Sequence, residues 1–264
     1  VTKLNQYLKK MGSKTIGAES DWFTTCQQER KSWEEFKQKR YLNPVLYDPM
    51  WQKDVLTQPG AIRTALQWAK DKDVICFFDA GDVQANGFQI VEDEIPGKTF
   101  TETGASYMGF AASALLASCA AEKPFYGISF SGDGSFTMCP QVLIDGIQHG
   151  AKGCILLFDN RRMAAISGLQ TAQYNQDFAT NDSVEIDYLG WASSIKGLQA
   201  IHGGYHPDSL IEALNKAKTH DGLSLIYLPV YYGTDELGGM GVFGRWNVGN
   251  WCQETQSLRH KIGL

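Results

Sequence analysis

Long apolar runs are missing from this chain: none reaches the length of a membrane span, and no signal-peptide pattern is read at its start. A basic stripe is missing too. The net charge is −5, which argues against nucleic acid as a partner. The six cysteines, at positions 26, 76, 119, 139, 154 and 252, form no C-x-x-C pair, so no zinc-site spacing is present. Cys76 and Cys154 sit inside apolar runs and Cys119 in an alanine-rich stretch, as expected for reduced core thiols of a cytoplasmic protein. No G-x-G-x-x-G directly follows a strand-like run, which disfavours a dinucleotide-dependent oxidoreductase. Internal repeats and low-complexity tracts are absent. The five histidines (149, 202, 206, 220 and 260) are scattered, and His149 reads as a cation closing a helix.

What is present is an alternation of helical and strand-like segments, with 27 glycines to turn between them. The length of 264 residues allows one large α/β domain with an appendage, or two small domains. Residues 1–45 are polar and aromatic. Gln27–Arg40 is charged at nearly every position, with Trp33 and Phe36 forming a narrow stripe, so a surface helix or one packed on another chain is expected. Asn43-Pro44 and Asp48-Pro49 end that pattern. Helices are then expected over Gln58–Lys72, Ala105–Ala121 (apolar almost all round, hence fully buried), Met138–His149, Asp187–Ile195 and His206–Thr219. Strands are expected over Val74–Phe78, Tyr126–Phe130, Cys154–Phe158, Leu198–Ile201 and Leu223–Val230. This order implies an open parallel sheet with helices on both faces, preceded by a mostly helical N-terminal arm. Gly233–Asn250 is glycine-rich and aromatic, and reads as a tail or a lid over a site.

The chemistry concentrates in two loops. Gly132-Asp133-Gly134-Ser135 follows one apolar run, and Asp159-Asn160-Arg161-Arg162 follows the next, with Asn160 placed 27 positions after Asp133. In a parallel sheet both loops fall at the C-terminal edge, where such sheets bind ligands. A carboxylate, an amide oxygen and a glycine turn suit a hard cation holding a phosphate. The backbone N–H groups of Gly134 and Ser135, opening a helix, are candidates for phosphate contacts. Arg161 and Arg162 either face an anionic substrate or form a solvated or subunit-facing pair.

The Gly-Asp-Gly to Asn spacing resembles the diphosphate-binding signature of thiamine-diphosphate enzymes. Thr103–Phe110 (TGASYMGF) resembles the segment that grips the aminopyrimidine ring in the acetolactate-synthase branch, and Asp79–Gln84 (DAGDVQ) the earlier turn toward the diphosphate. Gly244–Gly249 is loosely similar to the tail on the trihydroxycyclohexanedione-hydrolase side of that branch. The resemblance covers about residues 40–250, arranged as the diphosphate-binding (PP) domain. It divides the chain into a connector arm (1–45), a thiamine-diphosphate/Mg-binding domain (46–232) and a C-terminal loop and tail (233–264).

The resemblance implies thiamine diphosphate and Mg²⁺ as cofactors. The metal would be held by Asp133, Asn160 and the backbone carbonyl of Arg162. The cofactor would meet Asp82, Gln84, Ser106, Met108, Gly132, Gly134, Ser135, Asn160 and Met163. Met108 is expected as the wedge that bends the two rings, bringing the exocyclic amine to the reactive carbon. Where the family shows two asparagines, this chain has Asp159-Asn160, which leaves the role of Asp159 open. The activating glutamate of the pyrimidine-binding domain has no match here. Glu102 lies nearby, but nothing assigns it that role, and it reads as a surface or structural carboxylate.

Read as a whole protein, the chain is one subunit of a hetero-oligomer, expected as a heterotetramer, whose partner subunit supplies the pyrimidine-binding domain. The expected substrate is a small carbonyl compound, a 2-oxo acid or 1,2-dicarbonyl, with acetolactate-synthase-like carboligation first. Decarboxylation, C–C hydrolysis and a non-catalytic homologous subunit are the alternatives.

Overall fold

The computed structural model describes residues 1–12, 17, 20–181, 184–233 and 235–239. Contacts divide the chain into two compact units, Val1–Lys39 and Arg40–Leu264. The first unit holds α1 (Thr2–Lys10) and most of α2 (Asp21–Leu42). α1 closes on Lys9 and Lys10, cations that suit the negative end of the helix. α2 runs longer than the Gln27–Arg40 segment that the sequence predicts, and its Trp33 and Phe36 rings lie 5.6 Å apart. Most of the expected C-terminal tail, including Gly244–Gly249, lies outside the described residues.

The second unit begins with an antiparallel pair, β1 (Val45–Asp48) and β2 (Lys53–Leu56). Thr57 then caps α3 (Gln58–Ala69), its hydroxyl accepting from Gly60 N at 3.1 Å, with Pro59 in the first turn. The helix stops before the predicted Lys72, because Asp71-Lys72-Asp73 is a polar turn leading into the first sheet strand.

Six strands follow: β3 (Val74–Phe78), β4 (Thr99–Thr101), β5 (Tyr126–Gly132), β6 (Gly153–Asp159), β7 (Gln199–His202) and β8 (Leu223–Pro229). They form one parallel sheet in the order β4-β3-β5-β6-β8-β7. Both faces are covered. Cys154, Leu156 and Phe158 of β6 point into one core with Ile62, Ile128, Phe130, Leu210 and Ile226, while Ile155 and Leu157 point into the other with Leu115, Phe136, Leu143 and Leu225. Each such side chain contributes about 1.5–3 kcal/mol by leaving water. Continuous apolar strands of this kind belong to two-sided parallel sheets. Phe78, Phe130 and Phe158 stack across three neighbouring strands, with centroids 4.3 and 6.2 Å apart.

The helices of this unit continue as α4 (Asp82–Ile90), α5 (Phe110–Ala114), α6 (Ala117–Ala120), α7 (Asp133–Phe136), α8 (Val142–His149), α9 (Ala164–Tyr174), α10 (Tyr188–Ser193) and α11 (Pro207–Thr219). Three segments correct the sequence reading, the Met138–His149 helix by starting only at Val142. Ala105–Ala121 is not one buried helix: Ser106 (φ 51°) and Gly109 (φ 90°) adopt left-handed conformations that break it, and only α5 and α6 remain. The helix opened by Gly134 and Ser135 is a single turn of four residues. His149 does end α8, followed by Gly150 in the left-handed cap conformation.

Strand order fixes where a ligand fits. The chain leaves β3 toward β4 on one side, and leaves β5 toward β6 on the other. The C-terminal ends of β3 and β5 therefore flank the topological switch point, where open α/β sheets form their crevice. Among the described residues, no helix is long and apolar enough to cross a membrane.

Candidate active site

Three loops meet at that switch point. Asp79, directly after β3, is fully buried. Its carboxylate accepts from Ala80 N (3.0 Å), Gly109 N (2.8 Å) and Ser131 Oγ (2.7 Å). One side chain thus joins the turn after β3, the segment entering α5 and the end of β5. Burial raises its pKa, with the three donors acting against that rise.

The second junction joins the two motif loops. The Arg161 N–H donates to Asp133 Oδ2 (2.9 Å) and to Asp159 Oδ1 (3.0 Å). Asp133 Oδ1 accepts from Gly134 N at 2.7 Å, and Tyr227 Oη donates to Asp159 Oδ2 at 2.9 Å. Arg161 reaches this position with φ 57°, a strained conformation for a non-glycine residue. Asn160 Nδ2 donates to Asp82 Oδ2 (3.1 Å), which also accepts from Gln58 Nε2 (2.9 Å). Burial raises Asp82, Asp133 and Asp159 alike, and the facing Asp159 carboxylate raises Asp133 further. A cation bound at this sheet edge would relieve so many buried acids.

A cavity of about 300 Å³ lies over these loops. Of the residues predicted from the sequence, Asp82, Gln84, Ser106, Met108, Gly132, Asp133, Gly134, Ser135, Arg162 and Met163 all line it. Asn160 does not: it is buried behind the wall, where its Oδ1 accepts from Arg162 N at 3.3 Å. Gly134 forms a cradle between the two methionines. A Cβ there would stand 2.8 Å from Met163 Sδ and 3.5 Å from Met108 Cε. Met108 sits in the turn before α5 rather than on a buried helix. The starts of α4, α7 and α9 line the cavity through Asp82, Asp133 and Ala164.

Arg162 is engaged internally, unlike either role the sequence reading offered for it. Its guanidinium donates to Tyr232 O (2.8 Å), Asp177 Oδ2 (3.1 Å) and Ser167 Oγ, and lies 4.4 Å from the Tyr232 ring centroid. Its charge is thereby taken up within the fold, and its backbone carbonyl accepts from Ala164 N at 2.9 Å. Sequence reasoning also missed the cavity wall from α9 (Ala164, Ala165, Ile166 and Leu169), although the i, i+3 apolar spacing of Ile166 and Leu169 carried that signal. It missed the staple made by Asp79 as well, which a local pattern does not reveal because its partners lie 30 and 52 residues away.

The donor set fits a diphosphate held through a divalent ion. The Asp133 carboxylate and the turns at Gly132 and Gly134 line the cavity, and the Asn160 amide oxygen lies just behind them on Arg162 N. Among the described residues, no group of three His, Cys, Asp or Glu side chains is placed to hold a metal ion.

Residues 79–228 match the family model described as thiamine pyrophosphate enzyme, C-terminal TPP binding domain. Among curated proteins, the chain is 31% identical over 189 residues to the 3D-(3,5/4)-trihydroxycyclohexane-1,2-dione hydrolase of Listeria monocytogenes serotype 4b (strain F2365), covering 69% of this chain and 28% of that one. It is 27% identical over 243 residues to the enzyme of the same name from Bacillus subtilis (strain 168), covering 86% and 37%. The chain therefore spans little more than a third of the length of these relatives at most. Among solved structures, the thiamine diphosphate-dependent 4-hydroxybenzoylformate decarboxylase of Rhodococcus jostii RHA1 superposes with a TM-score of 0.61 at 18% identity, covering 69% of this chain and 34% of that one. That likeness shows the fold.

Proposed function

The chain belongs to the thiamine pyrophosphate enzymes through their C-terminal TPP-binding domain, and we propose that it forms the diphosphate-binding half of an enzyme that cleaves a C–C bond next to a carbonyl. The cofactor of this domain is thiamine diphosphate, with Mg²⁺ as the usual metal of the family. When bound, it supplies a nucleophilic carbon and an electron sink for bond cleavage.

This chain's residues bind and orient that group. Asp133 supplies the charged metal oxygen, and the Arg161 N–H fixes its direction. Asn160 and the Arg162 carbonyl would complete the protein ligands on turning toward the ion, from positions where Asn160 is held by Asp82 and Arg162 N and the carbonyl by Ala164 N. The backbone at Gly132, Gly134 and Ser135 faces the phosphates. Met108 and Met163 press on the cofactor from the two sides of Gly134. Ser106 and Gln84 turn polar atoms toward the pyrimidine end, where the Ser106 hydroxyl donates to Gln84 Oε1 at 3.2 Å.

The names of the relatives support cleavage, hydrolytic or decarboxylating, over the carboligation that the motifs alone favoured. A cyclic or open 1,2-dicarbonyl compound is the first substrate class. The activating glutamate comes from a pyrimidine-binding domain on a partner subunit. Glu102, which precedes the Ser106–Met108 segment in sequence, is held by its own loop, in keeping with a glutamate supplied from outside these residues. The five described cysteines are free thiols, in keeping with a cytoplasmic location. Retention of Asp133 and Asn160 in one connected network favours an active subunit over a decayed homologue.

The observation that carries the reading is the junction at Arg161 N, which brings the two motif loops onto one cavity. Calorimetric titration with thiamine diphosphate and Mg²⁺ tests it. Binding is expected from the unaltered chain, and Asp133→Ala should weaken it about 100-fold or more, as loss of a metal ligand does. Unchanged binding in that variant removes Asp133 from the site. Co-purification from the native source should recover a chain with a pyrimidine-binding domain. An active homomer lacking one overturns the partner reading.

A further inference from the structure

Glu102 does not face the cavity, yet it organises the loop that does. Its carboxylate accepts from three backbone N–H groups: Gly104 N at 2.7 Å on Oε1, Tyr107 N at 3.2 Å on Oε2, and Ala105 N shared between Oε1 (3.1 Å) and Oε2 (3.0 Å). Successive backbone N–H groups curled around one carboxylate form an anion nest filled from within the chain. The curl requires the left-handed turn at Ser106 (φ 51°), which is unfavourable for serine without compensation. The loop is anchored at its base as well. Gln84 Nε2 donates to Thr101 Oγ1 (2.7 Å) and to the Glu102 carbonyl (2.8 Å), and Thr101 Oγ1 donates to Phe78 O (3.0 Å). The two cavity-lining residues Ser106 and Met108 lie on either side of Tyr107, whose N–H the carboxylate holds.

We infer that Glu102 is a positioning residue: its carboxylate holds residues 104–107 in the curl that presents Ser106 and Met108 to the pyrimidine end of the cofactor. This rests on the cofactor reading above. The amides keep the group charged, holding its carboxyl below the ordinary glutamate range, with Ala105 N the largest contributor. Asp133, Gly134 and Ser135, the motif on the diphosphate side of the cofactor reading, receive no hydrogen bond from Glu102, whose backbone donors all lie in the 104–107 loop.

That asymmetry supplies the test. Binding of thiamine diphosphate with Mg²⁺, and separately of inorganic pyrophosphate with Mg²⁺, is measured calorimetrically on the unaltered chain, Glu102→Ala and Glu102→Gln. Amide hydrogen exchange is followed in parallel. Glu102→Ala should weaken thiamine diphosphate about tenfold and leave pyrophosphate within about twofold, since charge-assisted hydrogen bonds are lost at one end only. Glu102→Gln keeps one acceptor oxygen and should recover part of the loss. Exchange should accelerate at Gly104, Ala105 and Tyr107 and stay unchanged in the β5 and β6 strands. Equal weakening of both ligands, or no change in thiamine diphosphate binding, overturns the inference. If the unaltered chain binds neither ligand, the cofactor reading fails instead, and exchange unchanged by Glu102→Ala at 104–107 then rejects the nest itself.

Discussion

The two ends of the parallel sheet are built from the same strands but under opposite rules. At the C-terminal end, Asp79, Asp82, Asp133 and Asp159 are all raised in pKa by burial, and the turns at Ser106 and Arg161 are strained. At the N-terminal end, Asp73 and Asp221 are exposed, lie beside Lys98 and Lys152, and are lowered in pKa by those lysines. Helix α8 closes there with a histidine and a left-handed glycine, the ordinary way to finish a helix. One end spends stability on a ligand site, and the other merely terminates the fold.

The sharpest test of this contrast is Asp79. Asp79→Ala leaves the N–H groups of Ala80 and Gly109 and the Ser131 hydroxyl without their buried acceptor. A loss of about 2–4 kcal/mol is expected from the unpaired donors, partly offset by removing a buried charge. Urea denaturation measures it. A loss below about 1 kcal/mol would show that Asp79 is not the staple of the three loops.

Two glycines with the same handedness compare the ends directly. Gly150 (φ 71°) has open space where a Cβ would go, so Gly150→Ala costs about 1 kcal/mol for the left-handed conformation alone. At Gly109 (φ 90°) a Cβ would stand 2.8 Å from Cys139 Sγ. Gly109→Ala adds that clash and displaces the N–H held by Asp79, so about 2–3 kcal/mol is expected. Equal melting temperatures for the two variants would remove the distinction.

These residues also explain how far the sequence could be read. Val74–Phe78 is found where its apolar run lies, and Tyr126–Gly132 and Gly153–Asp159 extend the predicted runs by one or two residues at their ends. Strands buried on both faces announce themselves as continuous runs. The cavity-lining set was legible because Gly132–Ser135 and the Met108 segment are contiguous motifs. Asp79 and Glu102 were not legible as organisers. Their partners are backbone N–H groups and, for Asp79, a Ser131 hydroxyl 52 residues away, and their placement depends on the fold or on a left-handed turn that local patterns do not reveal. Alanine content likewise made Ala105–Ala121 look helical, while the curl around Glu102 and the Gly109 turn overrode propensity. Strand order, which creates the crevice, is a matter of long-range pairing and leaves no local mark.

The pH dependence of the two ends should have opposite signs. Asp79 has its pKa raised in the folded state, so the native chain holds that proton more tightly than the unfolded one. Its contribution is most favourable below the unfolded value of about 3.9 and is lost as pH rises through the folded one. Asp73 is lowered, so its small contribution is present above that same value and lost as pH falls through the folded one. Asp79→Asn keeps an oxygen for Gly109 and Ala80 and removes the titration. Compared with this variant, the unaltered chain should lose relative stability as pH is raised from about 4. A flat difference between the two would mean that the carboxylate is not taxed by its burial.

The smallest effect belongs to the lysines of the other end. Lys98 Nζ lies 2.6 Å from Asp73, whose side chain is 94% exposed, and Lys152 pairs with Asp221, which is 88% exposed. Water and salt screen such pairs, and holding two long side chains together costs entropy that offsets the attraction. Lys98→Ala and Lys152→Ala together should therefore shift the melting temperature by no more than about 2 °C, with thiamine diphosphate affinity unchanged. A larger shift, or any loss of binding, would show that the N-terminal end is coupled to the site. The two ends would then obey one rule after all, carried by strands β5 and β6, which run from Tyr126 and Gly153 at one end to Gly132 and Asp159 at the other.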